Sequence, residues 1–181
     1  QTPKINREQR YEEWQHIAHS FPPDGLSTFV QYIRHVVTVK CGHVLPKDLY
    51  GLIAQRVRHS GKVPPTPEQL MQLLRDYQPL YLQMIDQTLS GPAEEECLSI
   101  FAALNSLGII TVRPLMIAIF GVPDFLEGIK EVLRIVVRRI VVGNLGTGNV
   151  ERRFSEAAKR VNESGHWRPL LEELGDLNPH R

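Results

Sequence analysis

The sequence predicts an all-α protein, an irregular bundle of about eight helices in a single domain. Two observations carry this expectation. Apolar residues recur at helical spacing in segment after segment, and prolines and glycines fall where those segments begin and end. At 181 residues, 42% hydrophobic and 23% charged, the chain is long and apolar enough to bury a real core.

Residues 5–21 are polar with a thin apolar face at Tyr11, Trp14 and Ile17, a leading helix that Pro22-Pro23-Asp24-Gly25 ends. The expected organisation is therefore a leading helix and linker over 1–24, and a helical bundle over 25–181. In 26–39, Phe29, Tyr32, Ile33, Val36 and Val37 keep helical spacing, although the β-branched run at 36–39 leaves a strand as an alternative. A helix over 46–61 starts on Pro46 and stops at Gly61. Thr66-Pro67-Glu68-Gln69 reads as a cap, an N1 proline and a capping box. The helix it opens carries Pro79, where a kink or break is expected, and Gly91-Pro92 ends it. Glu94, Glu95 and Glu96 suit the first turn of the next helix. Arg113-Pro114 opens PLMIAIFG, the expected most buried element. No repeat and no low-complexity tract appears.

The stretch RRIVVGNLGTGN, 138–149, invites comparison with a phosphate loop. Gly143 and Gly148 have Walker A spacing, but Asn149 and Val150 stand where lysine and serine or threonine are needed. The order GxxGxG also fails the dinucleotide fingerprint. The preceding residues are not strand-like. Ile129, Val132, Leu133, Val136, Val137, Ile140 and Val141 follow a helical period, with Lys130, Arg134 and Arg138 at i, i+4 on the other side. The expectation is a helix–helix connection, with Gly143 as a stop and Thr147 or Asn149 as the next N-cap.

Net charge is +1, so affinity for nucleic acid requires local clustering. Arg134, Arg138, Arg139, Arg152, Arg153, Lys159 and Arg160 bracket the turn. If the two helices form a hairpin, these residues converge on a DNA-facing patch. The alternatives are a solvated face balanced by Glu131, Glu151 and Glu156, or a clamp on a neighbouring domain. Cys41, His43 and His35 lie close in sequence, but structural zinc needs four ligands, and Cys97 reads as a small core residue. No metal or other cofactor is expected. There is no GxSxG elbow. Trp14 and Trp167 dock the end helices onto the bundle or onto further domains. Two cysteines suit a reducing compartment, taken as the cytoplasm. No apolar run is long enough to cross a bilayer and no signal-peptide core is present, so no membrane partner is expected. The start at Gln1 suggests a piece of a longer protein.

Several of these stretches together resemble one family. They are LYGLIA after a helix-opening proline (Leu49, Tyr50), the pair Tyr77 and Tyr81, RPLMIAIF (Arg113, Pro114) and RRIVVGNLGTGNVERRF. They resemble the helical region that follows the ParB/sulfiredoxin-like domain in bacterial GmrSD-type modification-dependent restriction proteins. In that family an arginine pair precedes a glycine-containing turn, then a threonine, an apolar residue and an aromatic one turn on. The matching positions are Arg138, Arg139, Gly143, Gly146, Thr147, Gly148, Asn149, Val150 and Phe154, within a likeness covering most of 25–165. The family's Asp-Gly-Gln-Gln-Arg-type nucleotide site and the histidine-rich HNH nuclease motif are absent from this chain. The resemblance therefore implies a non-catalytic module that positions or couples nucleotide-hydrolysing and DNA-cleaving domains of an anti-phage defence protein and contacts those domains or DNA. Two other classes stay open: an enzyme acting on nucleotides or nucleic acid through the 143–149 loop, and a protein-binding helical adaptor.

Overall fold

The structure, a computed structural model, describes residues 7–24, 27–54, 61–142 and 147–174, without the side chains of 140–142 and 147–148. The described residues form nine α-helices and no strand. They are α1 (Arg7–His19), α2 (Ser27–Cys41), α3 (Pro46–Ile53), α4 (Pro67–Ile85), α5 (Glu95–Ser106), α6 (Arg113–Phe120), α7 (Phe125–Val142), α8 (Thr147–Ser164) and α9 (Arg168–Glu173).

The all-α expectation holds, and the local signals act as their chemistry requires. Thr66 Oγ1 accepts from the Gln69 backbone N–H at 3.2 Å, and Gln69 Oε1 accepts from the Thr66 N–H at 2.9 Å. This capping box satisfies two N–H groups that α4 would otherwise leave open. Residues Pro114 to Ile119 of α6 are all buried. Elsewhere tertiary packing overrides local preference. α2 is helical to Cys41, so 36–39 is not a strand. Val36, Val37 and Val39 are enclosed, and that burial outweighs the small helix penalty of β-branched residues. α4 runs unbroken through Pro79 to Ile85. The proline forfeits one backbone bond, but buried Leu80, Tyr81, Gln83 and Met84 hold the last turns in place. α3 ends at Ile53, short of Gly61, and residues 55–60 of the predicted helix lie outside the described residues.

α2, α6 and α8 pack against one another and form the centre. α4 covers α2 and α6, α5 joins α4 to α7, and α7 lies on α6. α1 seats on α4, with Trp14 edge-on to Phe29 at 5.2 Å between centroids and Arg10 bonded to Glu68 at 2.7 Å. α9 contacts α7 and α8, and buried Trp167 donates its Nε1–H to the Pro123 carbonyl at 3.3 Å. Both tryptophans thus hold end helices on the bundle itself.

Trp167 reaches α7 because position 128 has no side chain. A Cβ on Gly128 would stand 2.7 Å from Ile119 Cγ2 and 3.0 Å from Trp167 Cδ2. Gly128→Ala gains about 0.5–1 kcal/mol of helix propensity but overpacks this crossing at about 1–3 kcal/mol. The expected result is a lower midpoint in urea unfolding. An unchanged or higher midpoint would contradict the close approach of α6, α7 and Trp167.

Candidate nucleic-acid interface

α8 carries two faces. Val150, Phe154, Ala157, Ala158 and Val161 recur at helical spacing and are buried in the core. Asn149, Arg152, Arg153, Glu156 and Arg160 recur on another side. With Ala157 and with Leu170, Glu173 and Leu174 from the α9 region, they line an open cleft of about 240 Å³.

The charges in this cleft are arranged rather than scattered. The Arg160 guanidinium donates to both carboxylate oxygens of Glu173, at 2.5 and 3.0 Å. The pair holds Arg160 above and Glu173 below their ordinary pKa values, mainly through these hydrogen bonds. Arg153 Nη2 donates to the main-chain oxygen of Glu173 at 3.1 Å, at the C-terminal end of α9 where the peptide dipoles present negative charge. Arg152 is exposed on the cleft wall.

Glu156 also ties α8 to α2. Gly42 ends α2 at φ +76°, a conformation that favours glycine, and the Glu156 carboxylate lies 2.6–2.9 Å from where a Cβ would stand. Its Oε1 accepts the His43 backbone N–H at 3.0 Å. One turn earlier on α8, Glu151 accepts from Arg34 at 2.7 Å in a half-buried ion pair, and Arg34 donates to the Val44 carbonyl at 3.3 Å. Arg34 was not among the sequence-predicted residues. Its signal was a lone cation inside an apolar helical run.

The other predicted basic residues lie elsewhere. Arg134 is exposed on α7 and bonds Glu131 at 3.0 Å. It lines a shallow groove with Glu96, Ser99, Ile100, Lys130 and Leu133. Arg138 is exposed on α7, and Arg139 is half-buried, with desolvation lowering its pKa. Lys159 faces Glu163 at 3.9 Å. Each of α7 and α8 packs on α6 among the described residues. Arg152, Arg153 and Arg160 come together, and Arg134 belongs to a different groove.

Gly143 and Gly146 lie outside the described residues, as does the side chain of Thr147. α8 begins at Thr147, which places Asn149 within the first turn and not at the N-cap. Val150 and Phe154 are core residues, 2% and 1% exposed.

A second polar cluster sits inside the bundle. Arg113 Nη1 donates to the Tyr81 hydroxyl oxygen at 3.5 Å, with its guanidinium 5.4 Å from the ring centroid. Arg113 Nη2 donates to Asn105 Oδ1 at 3.2 Å, and Asn105 in turn donates to the Met84 carbonyl at 2.8 Å. The Tyr81 hydroxyl and His35 Nδ1 share a hydrogen bond at 2.8 Å. Burial holds the His35 pKa well below its ordinary value, and Arg34 and Arg113 push it the same way. Tyr32 donates to the Leu74 carbonyl at 2.5 Å, and burial drives its pKa far above the usual phenol range. His35 and Tyr81 are closed off from solvent, at 2% and 0% exposed. The network satisfies polar groups within the core.

The three residues considered for metal point to separate partners: His35 to Tyr81, the Cys41 thiol to the Val63 carbonyl at 3.4 Å, and the His43 backbone to Glu156. Among the described residues no group of three His, Cys, Asp or Glu side chains is placed to hold a metal, and no helix is long and apolar enough to cross a membrane. In comparisons with known proteins the chain matches no family model, no curated protein and no solved structure.

Proposed function

We propose that this chain is a non-catalytic helical module of a GmrSD-type restriction or anti-phage defence protein. It holds a nucleotide-hydrolysing and a DNA-cleaving domain in register and meets DNA through the basic face of α8. The observation that supports this reading is where the motif residues sit. Leu49, Tyr81, Pro114, Val150 and Phe154 are buried, and Arg113 bonds within the core. These positions pack on α3, α4, α6 and α8, whereas Tyr50 and Arg138 of the same motifs are exposed. A packing code of this kind suits a scaffold whose chemistry is done by attached domains.

The test combines two measurements on the chain. Incubation with nucleoside triphosphates is expected to give no turnover, and titration with duplex DNA is expected to give binding that weakens steeply with salt. Turnover that disappears in Gly146→Ala/Gly148→Ala would overturn the proposal in favour of an enzyme using the glycine loop. Absence of salt-sensitive DNA binding at micromolar protein would remove the DNA contact and leave protein domains as the only partners.

A further inference from the structure

We infer that the cleft between α8 and α9 is a phosphate-binding site whose anion position is occupied, in the chain alone, by the carboxylate of Glu173. The inference rests on the proposed DNA contact only for the source of the phosphate.

Three guanidinium groups, from Arg152, Arg153 and Arg160, and the Asn149 amide line the cleft. A guanidinium presents a planar fork of donors that matches two oxygens of a carboxylate or a phosphate. Glu173 takes that two-oxygen position on Arg160. Its main-chain oxygen takes Arg153, so one residue at the end of a short helix satisfies two of the three arginines. Glu156, the other carboxylate of the cleft, accepts the His43 N–H at Gly42 and is fixed by α2. With the Glu173 carboxylate withdrawn, the Arg160 fork opens beside exposed Arg152.

Withdrawal is not costly. Glu173 and Arg160 are 55% and 53% exposed at their side chains, and exposed ion pairs contribute little net stability. Leu170, Leu171 and Leu174 hold the α9 region on the bundle without the ion pair, because all three are buried. A phosphate carries the same oxygen geometry with equal or greater charge, and a nucleic-acid backbone offers several in sequence. Glu173 thus acts as a resident competitor for the Arg160 fork. The surface acidic residue and the arginines are one device rather than two unrelated charge runs.

The experiment uses the chain with a labelled DNA duplex in a salt series, with inorganic phosphate as the second probe. Glu173→Gln keeps the side-chain shape and removes the charge, and it is expected to tighten duplex binding by about threefold. Arg160→Gln and Arg160→Lys are both expected to weaken it, the lysine because it keeps charge but loses the fork. Arg152→Gln is expected to lower the slope of log K against log salt by about 1. Thermal unfolding midpoints equal to that of the unaltered chain show that these exposed substitutions leave the fold intact. Duplex binding unaffected by Glu173→Gln and Arg160→Gln would overturn the cleft while leaving the module proposal standing. Binding of neither probe would overturn the cleft as well. Inorganic phosphate bound with the same variant pattern, without duplex binding, supports the cleft and refutes the DNA contact.

Discussion

Phe154→Ala is expected to lower the unfolding free energy by about 3–5 kcal/mol, the cost of removing a large aromatic from a closed core. The phenyl ring is 1% exposed on α8, a helix that packs against both α2 and α6. The loss combines the transfer of the ring with the cavity left behind, and three helices meeting there cannot all relax inward. Arg152→Ala, two residues away on the exposed face, is expected to stay within about 0.5 kcal/mol. Urea unfolding followed by circular dichroism, with linear extrapolation, measures both. Had the aromatic of the RRIVVGNLGTGNVERRF motif served a ligand or partner, its removal would leave stability unchanged. A loss under about 1 kcal/mol for Phe154→Ala would therefore exclude its role as a packing residue.

The second large effect is a loss of stability in mild acid through His35. The native imidazole is buried and neutral, with its pKa well below the ordinary 6.5, whereas the unfolded chain protonates at that ordinary value. Below pH 6.5 the unfolded state binds a proton that the native state refuses, so stability rises with pH there and falls as pH drops. One proton corresponds to at most about 1.4 kcal/mol per pH unit, or about 3 kcal/mol over two units. Above the unfolded value His35 adds no slope. His43 is shifted in the same direction by burial, so the diagnostic quantity is the difference between the chain and His35→Gln. Glutamine remains neutral and can still accept the Tyr81 hydroxyl. Asp24 and Asp86, held below their ordinary 3.8 by hydrogen bonds from Thr28 and Thr88, lose their contribution only in stronger acid. Denaturant titrations at pH 7, 6 and 5 should show a steeper decline for the chain than for His35→Gln. Parallel declines would mean that the native ring takes up a proton as readily as the unfolded one.

Elements whose signals lie in consecutive residues were legible in the sequence. The amphipathic period of α7, the Thr66–Gln69 box and the proline-opened α6 each encode their structure within one or two turns. Pro79 does not break α4, because buried Leu80, Tyr81, Gln83 and Met84 hold its last turns on the bundle. The valines of 36–39 mislead for the same reason, since enclosure by α4, α6 and α8 decides between helix and strand. The candidate site was legible as composition but not as geometry. Arg152, Arg153 and Arg160 were identifiable as a helical row. Glu173 was not, because nothing local relates a residue of α9 to an arginine of α8. Arg134 lies apart from that row, in a groove it lines with Glu96 and Lys130.

The enclosure of α2 has a consequence for how the chain is made. Its ion pair through Arg34 closes only with Glu151, a residue 117 positions later. At ordinary rates of synthesis, that interval leaves the apolar surface of α2 waiting on the order of 10 s for the helix that covers it. α4 arrives first and shields one flank, with Tyr32 bonding the Leu74 carbonyl 42 residues on. The flank reserved for α8 stays open until nearly the whole bundle has emerged. A ribosome-bound intermediate stopped after α7 would thus expose the faces of α2 and α6 that α8 covers, and would be a natural client for a holding chaperone. α8, the late partner, completes the packing that α2 begins.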